Sequence, residues 1–278
     1  MTDKKIKVLT ISDHPLSPSG VGTQTKYMIE ALLRSEKFEV FSMAGAIKHD
    51  EYEAKYVEPY GKDWIIQPVD GYGNPETVRS LIRTYRPDIL WFMTDPRFWE
   101  WLWAMDNEVR SLVPMVYYHV WDNFPLPMYN KKFYESNDFI ATISKVTDDI
   151  VKGVAPSVER KYIPHAVESQ VFKPIEREEI LKYKKQFLND EDKFVIFWNN
   201  RNARRKSTGS LIKWYKTFYE ALPEEEKDKV VLLMHTDPED AYGQDINMIL
   251  KDWDFRQGQV LISTAKVPPE NLAVMYNM

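Results

Sequence analysis

The 278 residues include no cysteine, and 37 basic against 42 acidic side chains leave a formal net charge of −5. Disulfides, thiolate metal sites and cysteine nucleophiles are thereby excluded. The cations are scattered apart from one cluster, which also excludes the basic face that nucleic acid binding by counterion release requires.

With 44% hydrophobic residues and nine tryptophans the chain has the apolar surface to fold, which low-complexity chains lack. The apolar stretch after Met1 is too short for a signal peptide, and no run approaches the roughly 18 apolar residues of a membrane span. A soluble, cytoplasmic protein is the expectation, in keeping with the absence of cysteine.

Taken in chain order, IKVLTIS (6–12) predicts a buried strand. A loop rich in Pro, Ser and Gly follows from Asp13 to Gly22, then Thr25, Met28, Ile29, Leu32 and Leu33 at helical spacing. A second strand is expected over 39–44, and a helix over 75–85 that stops before Arg86-Pro87, because a residue preceding proline is pushed out of the helical region. DILWFM (88–93), PMVYYH (114–119) and DFIATIS (138–144) read as further strands, the last leading into a helix from Lys145.

Short apolar runs separated by helices instead of hairpin turns indicate βα units on a parallel sheet, an α/β fold. Composition shifts between Pro164 and Pro174, which places a domain boundary near residue 170 and divides the chain into 1–170 and 171–278. After a charged helix (176–188) the plan restarts with strands at 193–198, 229–235 and 259–263, helices at 207–221 and 245–252, and a last helix from about Pro268. Three strands are fewer than a doubly wound domain usually contains, so the second domain is expected to be incomplete.

Three segments could carry chemistry. SGVGTQT (19–25) places Gly20 and Gly22 between a strand and a helix, where backbone can approach a ligand and the helix N-terminus favours an anion. The same glycines would also serve a tight turn, and Thr25 stands where a dinucleotide-binding loop has its third glycine. In NNRNARRKSTG (199–209), Arg201, Arg204, Arg205 and Lys206 lie between a strand and a helix. Guanidinium and ammonium groups there would neutralise a diphosphate, and the carboxyl end of a strand is where α/β sheets bind ligands.

In YYHVWDNFP (117–125), His119 closes a strand, placed for proton transfer or for a structural hydrogen bond, with Asp122 just beyond. Asp95 also follows a strand, among aromatic residues that read as packing first. The histidines show no metal-ligand spacing with acidic residues, so no metal site is expected.

In this order the segments resemble the retaining glycosyltransferases of family 4, with the two-Rossmann-domain GT-B fold. PSGVGTQTKYMIEALL is similar to that family's glycine loop, and FIATIS to its strand before the interdomain segment. YIPHAVESQVFKP is similar to its IPNGVD signature, with His165, Ala166 and Glu168 replacing Asn, Gly and Asp. NRNARRKS resembles its glycine-arginine and lysine loop, with Asn200 in place of glycine.

The resemblance implies metal-independent, retaining transfer of a sugar from a nucleoside diphosphate to an acceptor hydroxyl, without a cofactor beyond that co-substrate. It implies His119 as the catalytic residue near the reacting sugar. Arg201, Lys206 and Arg205, with Gly20 and Gly22, would hold the donor diphosphate. Asp13, Asp95 and Asp122 are acceptor-side candidates, and the nucleobase would dock near Ser263. The acceptor is open among glycan, lipid, protein and small molecule.

The family's two glutamates separated by seven residues are missing after Arg201. A fragment, a subunit completed by another chain or by a further copy, and a non-catalytic binding protein are therefore all retained as readings. A nucleotide-sugar epimerase of the same architecture is the enzymatic alternative. A Rossmann oxidoreductase fits worst, because the glycine spacing is wrong.

Overall fold

The computed structural model describes residues 4–278, and the chain divides into two compact units, Met1–Ala166 and Val167–Met278. In the first, β1 (Ile6–Asp13), α1 (Gly20–Arg34) and β2 (Phe38–Gly45) form the opening βαβ unit, followed by β3 (Lys55–Val57), β4 (Gly61–Pro68) and α2 (Pro75–Tyr85). β5 (Ile89–Met93), α3 (Glu100–Trp103), α4 (Asp106–Arg110), β6 (Met115–His119), α5 (Lys131–Glu135), β7 (Phe139–Thr142), α6 (Lys145–Val154) and β8 (Arg160–Tyr162) complete it.

The eight strands make one sheet in the order β3-β4-β2-β1-β5-β6-β7-β8, parallel except for β3 against β4. Both faces are covered. Leu9, Ile11, Leu90, Phe92, Tyr117 and Ile140 pack on one side with α2 to α4 and α6, while Val8, Trp91, Met93, Tyr118 and Ala141 pack on the other with α1. Central parallel strands buried on both faces need near-continuous apolar runs, which β5 supplies outright and β1 supplies with Thr10 and Ser12 hydrogen-bonded to Ser42 and Thr25.

The second unit contains α7 (Arg177–Leu188), β9 (Phe194–Asn199), α8 (Thr208–Ala221), α9 (Glu224–Lys227), β10 (Val230–His235), α10 (Ile246–Asp252), β11 (Val260–Ser263) and α11 (Pro269–Asn277). Its three strands are parallel in the order β11-β10-β9. Leu232 and Met234 of β10 meet Ile212 and Tyr215 of α8 and Ile246 of α10 in its core.

The α/β plan read from the sequence holds, with two corrections. The β3–β4 hairpin and β8 had no counterpart in that reading, since Lys55-Tyr56-Val57 and Arg160-Lys161-Tyr162 are too short and polar to give an apolar run. The expected loop from Asp13 to Gly22 is also shorter. α1 already starts at Gly20, because Ser19, in extended conformation, caps it by accepting a hydrogen bond from the Gly22 N–H.

Gly45 closes β2 under the turn at Gly71, where an added Cβ would lie 1.9 Å from the Gly71 carbonyl oxygen. Gly45→Ala is therefore expected to lower stability by about 1–3 kcal/mol, the cost of overpacking, as measured by chemical denaturation.

Candidate functional site

Each sheet presents a polar carboxyl edge. In the first unit it is organised by Asp13, the last residue of β1 and almost wholly buried. Ser19 Oγ donates to one carboxylate oxygen at 2.7 Å and Tyr72 Oη to the other at 2.8 Å. The Asp13 carboxylate beside it and burial together raise the Tyr72 phenol above its ordinary range, burial being the larger cause. Since Ser19 Oγ also caps Gly22, one chain of hydrogen bonds runs from β1 through the loop into α1.

The two glycines of this loop play different parts. A Cβ at Gly22 would lie 2.5 Å from the His14 carbonyl oxygen and 2.6 Å from Ser17 Oγ, so the loop closes only over glycine. Gly20, in the first turn of α1, has open space on that side. Asp95 caps the turn at Pro96–Phe98 and pairs with Arg97 at 3.4 Å, whereas Asp122 is exposed. Asp13 and Asp95 thus hold loops in place, and of the three carboxylates Asp122 alone points to solvent without a partner among the described residues.

His119, expected to be catalytic, is fully buried. Tyr117 Oη donates to the Thr94 carbonyl at 2.6 Å, so its oxygen accepts from His119 Nδ1 at 3.0 Å, and Nε2 accepts from Tyr134 Oη at 2.7 Å. Both ring nitrogens are occupied in one self-consistent neutral tautomer. Burial pushes the imidazole pKa down to about 3. Through these bonds His119 joins β6 to the turn after β5 and to α5.

The carboxyl edge of the second unit carries Asn199, His235 and Ser263, which end β9, β10 and β11 in mutual register. His235 Nδ1 lies 3.0 Å from Ser263 Oγ, and Asn199 donates to Tyr276 Oη at 3.0 Å. Beyond β9 the basic loop is held by Asn202, which is buried. Its amide donates to the Gln244 carbonyl at 2.7 Å, and Gln244 Oε1 in turn accepts from the Gly209 N–H at 2.7 Å.

The four cations of this loop are not equivalent. Arg201 donates to both Asp240 oxygens, at 2.5 and 3.2 Å, and lies over the Tyr242 ring. Each group stabilises the charge of the other, raising the guanidinium pKa and lowering that of the carboxyl. Arg204, Arg205 and Lys206 form one 3-10 turn just before α8, exposed and without an ion-pair partner among the described residues. Ser207 follows in the left-handed region, φ 54°, and turns the chain into α8.

No protein-family model matches the sequence, and no curated protein does. Solved structures do match it in fold. HepE from Anabaena in complex with UDP-glucose aligns over 97% of this chain and 72% of its own, with TM-score 0.67 and 14% identity. The apo form of OtsA aligns over 98% and 76%, with TM-score 0.64 and 11% identity. An alpha,alpha-trehalose 6-phosphate synthase from Burkholderia multivorans aligns over 97% and 75%, with TM-score 0.61 and 10% identity.

The fold is GT-B. In a GT-B chain the two carboxyl edges described above are where polar loops gather, each on its own unit.

Sequence reasoning missed Tyr72, Asp240 and Gln244, tied to the loops from far along the chain, and the anchoring part of Asn202, whose partner Gln244 is 42 positions away. Ser19 opened the glycine segment without being read as a helix cap, and His235 closes a strand, the same signal that selected His119. Because the folded His119 takes up its proton only near pH 3 and the unfolded one near its ordinary pKa of about 6.5, the unfolded chain binds more protons between those values. Stability should therefore be lost as the pH is lowered through that range, by up to about 1.4 kcal/mol per pH unit more steeply than in His119→Phe. Denaturation curves taken from about pH 7 to 5 check this; equal slopes would mean that the folded ring titrates normally.

Proposed function

We propose that this chain is the core of a metal-independent glycosyltransferase that moves a sugar from a nucleoside diphosphate to an acceptor hydroxyl with retention. One observation carries the proposal. Three cations without an ion-pair partner among the described residues, Arg204, Arg205 and Lys206, stand at the carboxyl edge of a parallel sheet, between β9 and α8. A departing diphosphate gains negative charge in the transition state, and preorganised cations lower the barrier by offsetting it. Among the fold neighbours, HepE was solved with UDP-glucose, which supports a nucleotide sugar as the donor.

In this reading Lys206, which the resemblance implies, and Arg205, which the cluster of cations adds, bind the diphosphate directly. Arg201 does so only by giving up Asp240, which makes it the weakest of the expected contacts. Gly20 offers backbone at an open helix start, and Ser263 lies in the polar row at the strand ends. A cytoplasmic setting, and completion of the β9 edge by another chain or a second copy, belong to the same proposal. β9 is bonded on one side only, and Phe194 at its start is exposed.

Calorimetry with UDP, GDP and ADP tests the donor site. One of the three is expected to bind, with Arg205→Ala and Lys206→Ala each weakening it by about tenfold or more and Arg201→Ala by less. No binding of any nucleotide, or binding indifferent to all three substitutions, overturns the reading. Donor binding without turnover over a range of acceptors selects the binding-protein alternative.

A further inference from the structure

The cation that leads the basic loop is held by a carboxylate from the next loop along, and the build of that loop decides what the pairing does. Residues 236–245 join β10 to α10, and their far end is locked to the basic loop. The Asn202 amide donates to the Gln244 carbonyl, and its Oδ1 accepts the Gln244 N–H at 3.3 Å, so a buried side chain gives both its polar atoms to one residue. A Cβ at Gly243 would collide with the Asn202 carbonyl oxygen, so the two loops close on each other only over glycine.

The Asp240 end is built differently. Its Oδ1 accepts the Tyr242 N–H at 2.9 Å, and its carbonyl accepts the Gly243 N–H at 2.8 Å. The carboxylate is therefore set by its own turn, with its side chain only 10% exposed, whereas that of Arg201 is 64% exposed. Rotation about the Arg201 side-chain bonds separates the pair and leaves the turn and the Asn202 lock as they are. An exposed ion pair is favoured over its open form by no more than about fivefold.

A fixed anion thus faces a cation that is free to turn elsewhere. The alternative lies in the same loop. The Ala203 N–H donates to the Arg201 carbonyl at 2.7 Å and the Lys206 N–H to the Ala203 carbonyl at 2.8 Å, and these consecutive turns keep Arg201 near the cations at 204–206. A phosphate bound there offers the guanidinium the same two-pronged acceptor that a carboxylate does, with the charge of a second phosphate beside it. Asp240 and a diphosphate are rivals for one side chain.

We infer that Asp240 is an internal competitor for the donor diphosphate, holding Arg201 until the nucleotide binds and taking it back as the nucleotide leaves. The identity of the ligand rests on the glycosyltransferase reading. Asp240 acts through Arg201 and not on the nucleotide itself, so it is a positioning residue that sets how long the diphosphate stays.

Calorimetry and stopped-flow dissociation on the whole chain test this, with whichever of UDP, GDP and ADP binds and with the matching nucleoside. Asp240→Asn removes the charge and keeps an oxygen for the Tyr242 N–H. It should bind the nucleotide about two- to fivefold more tightly, mainly through slower dissociation, with the nucleoside unaffected. In an Arg201→Ala background the same substitution should add nothing. Glu239→Gln removes a neighbouring exposed charge that has no ion-pair partner among the described residues, and should leave binding unchanged.

Unchanged or weaker nucleotide binding by Asp240→Asn, an equal gain without Arg201, or an equal gain in Glu239→Gln overturns the inference and leaves the glycosyltransferase reading standing. No nucleotide binding by either the unaltered chain or Asp240→Asn removes the donor-site reading, and the inference with it.

Discussion

Parallel pairing of strands covered on both faces is the constraint from which the rest of this protein follows. From Val8 to Asp13 every residue of β1 is buried, its side chains shared between two apolar layers. Such a sheet leaves no polar face, and each parallel strand must be followed by a crossover to the same end, a helix everywhere except between β2 and β4, where β3 serves. Polar groups therefore collect where the strands finish. Asp13, the segments after β2 and β5, the basic loop after β9 and the row Asn199, His235 and Ser263 are all products of that geometry.

Burial also sorts these groups by task. Asp13 and His119 both close strands, and both are saturated with hydrogen bonds from hydroxyl groups or to them. They spend their polarity on fixing loops, the glycine loop in one case and the turn after β5 in the other. The groups with free polar capacity lie one layer further out: Asp122, Lys48, Glu58 and the turn Arg204 to Lys206. A carboxylate beside Arg201 divides the basic loop in the same way, into one cation held in a structural pair and three open to a ligand.

Most of the fold was legible in the sequence because it is locally encoded. Apolar runs such as ILWFM and VVLLMH, short and bounded by polar or proline-containing segments, read as buried strands, and Asn74-Pro75 and Ser144 announce helix starts. β3 and β8 were not legible, as each is a three-residue, largely polar strand on a sheet edge, and β4 buries only the alternate residues Trp64, Ile66 and Pro68 and so gives no continuous apolar run. The site was legible in its chemistry and less so in its exposure. The pattern of a histidine closing a strand says nothing of Tyr134, fifteen positions on, whose hydroxyl occupies Nε2. Equally, nothing local to NNRNARRK reveals Asp240, which lies 39 positions away. Contacts of that separation are set by the packing of whole elements.

The central claim is that the basic loop before α8 is a site for a nucleoside diphosphate, and hydrogen exchange with and without the nucleotide sugar measures it at the residues concerned. Protection is expected in two stretches, 199–209 and 236–245, which Asn202 and Gln244 tie together, and not on the unpaired edge of β9. Protection elsewhere, with these two stretches exchanging as fast as in the free protein, would contradict the account.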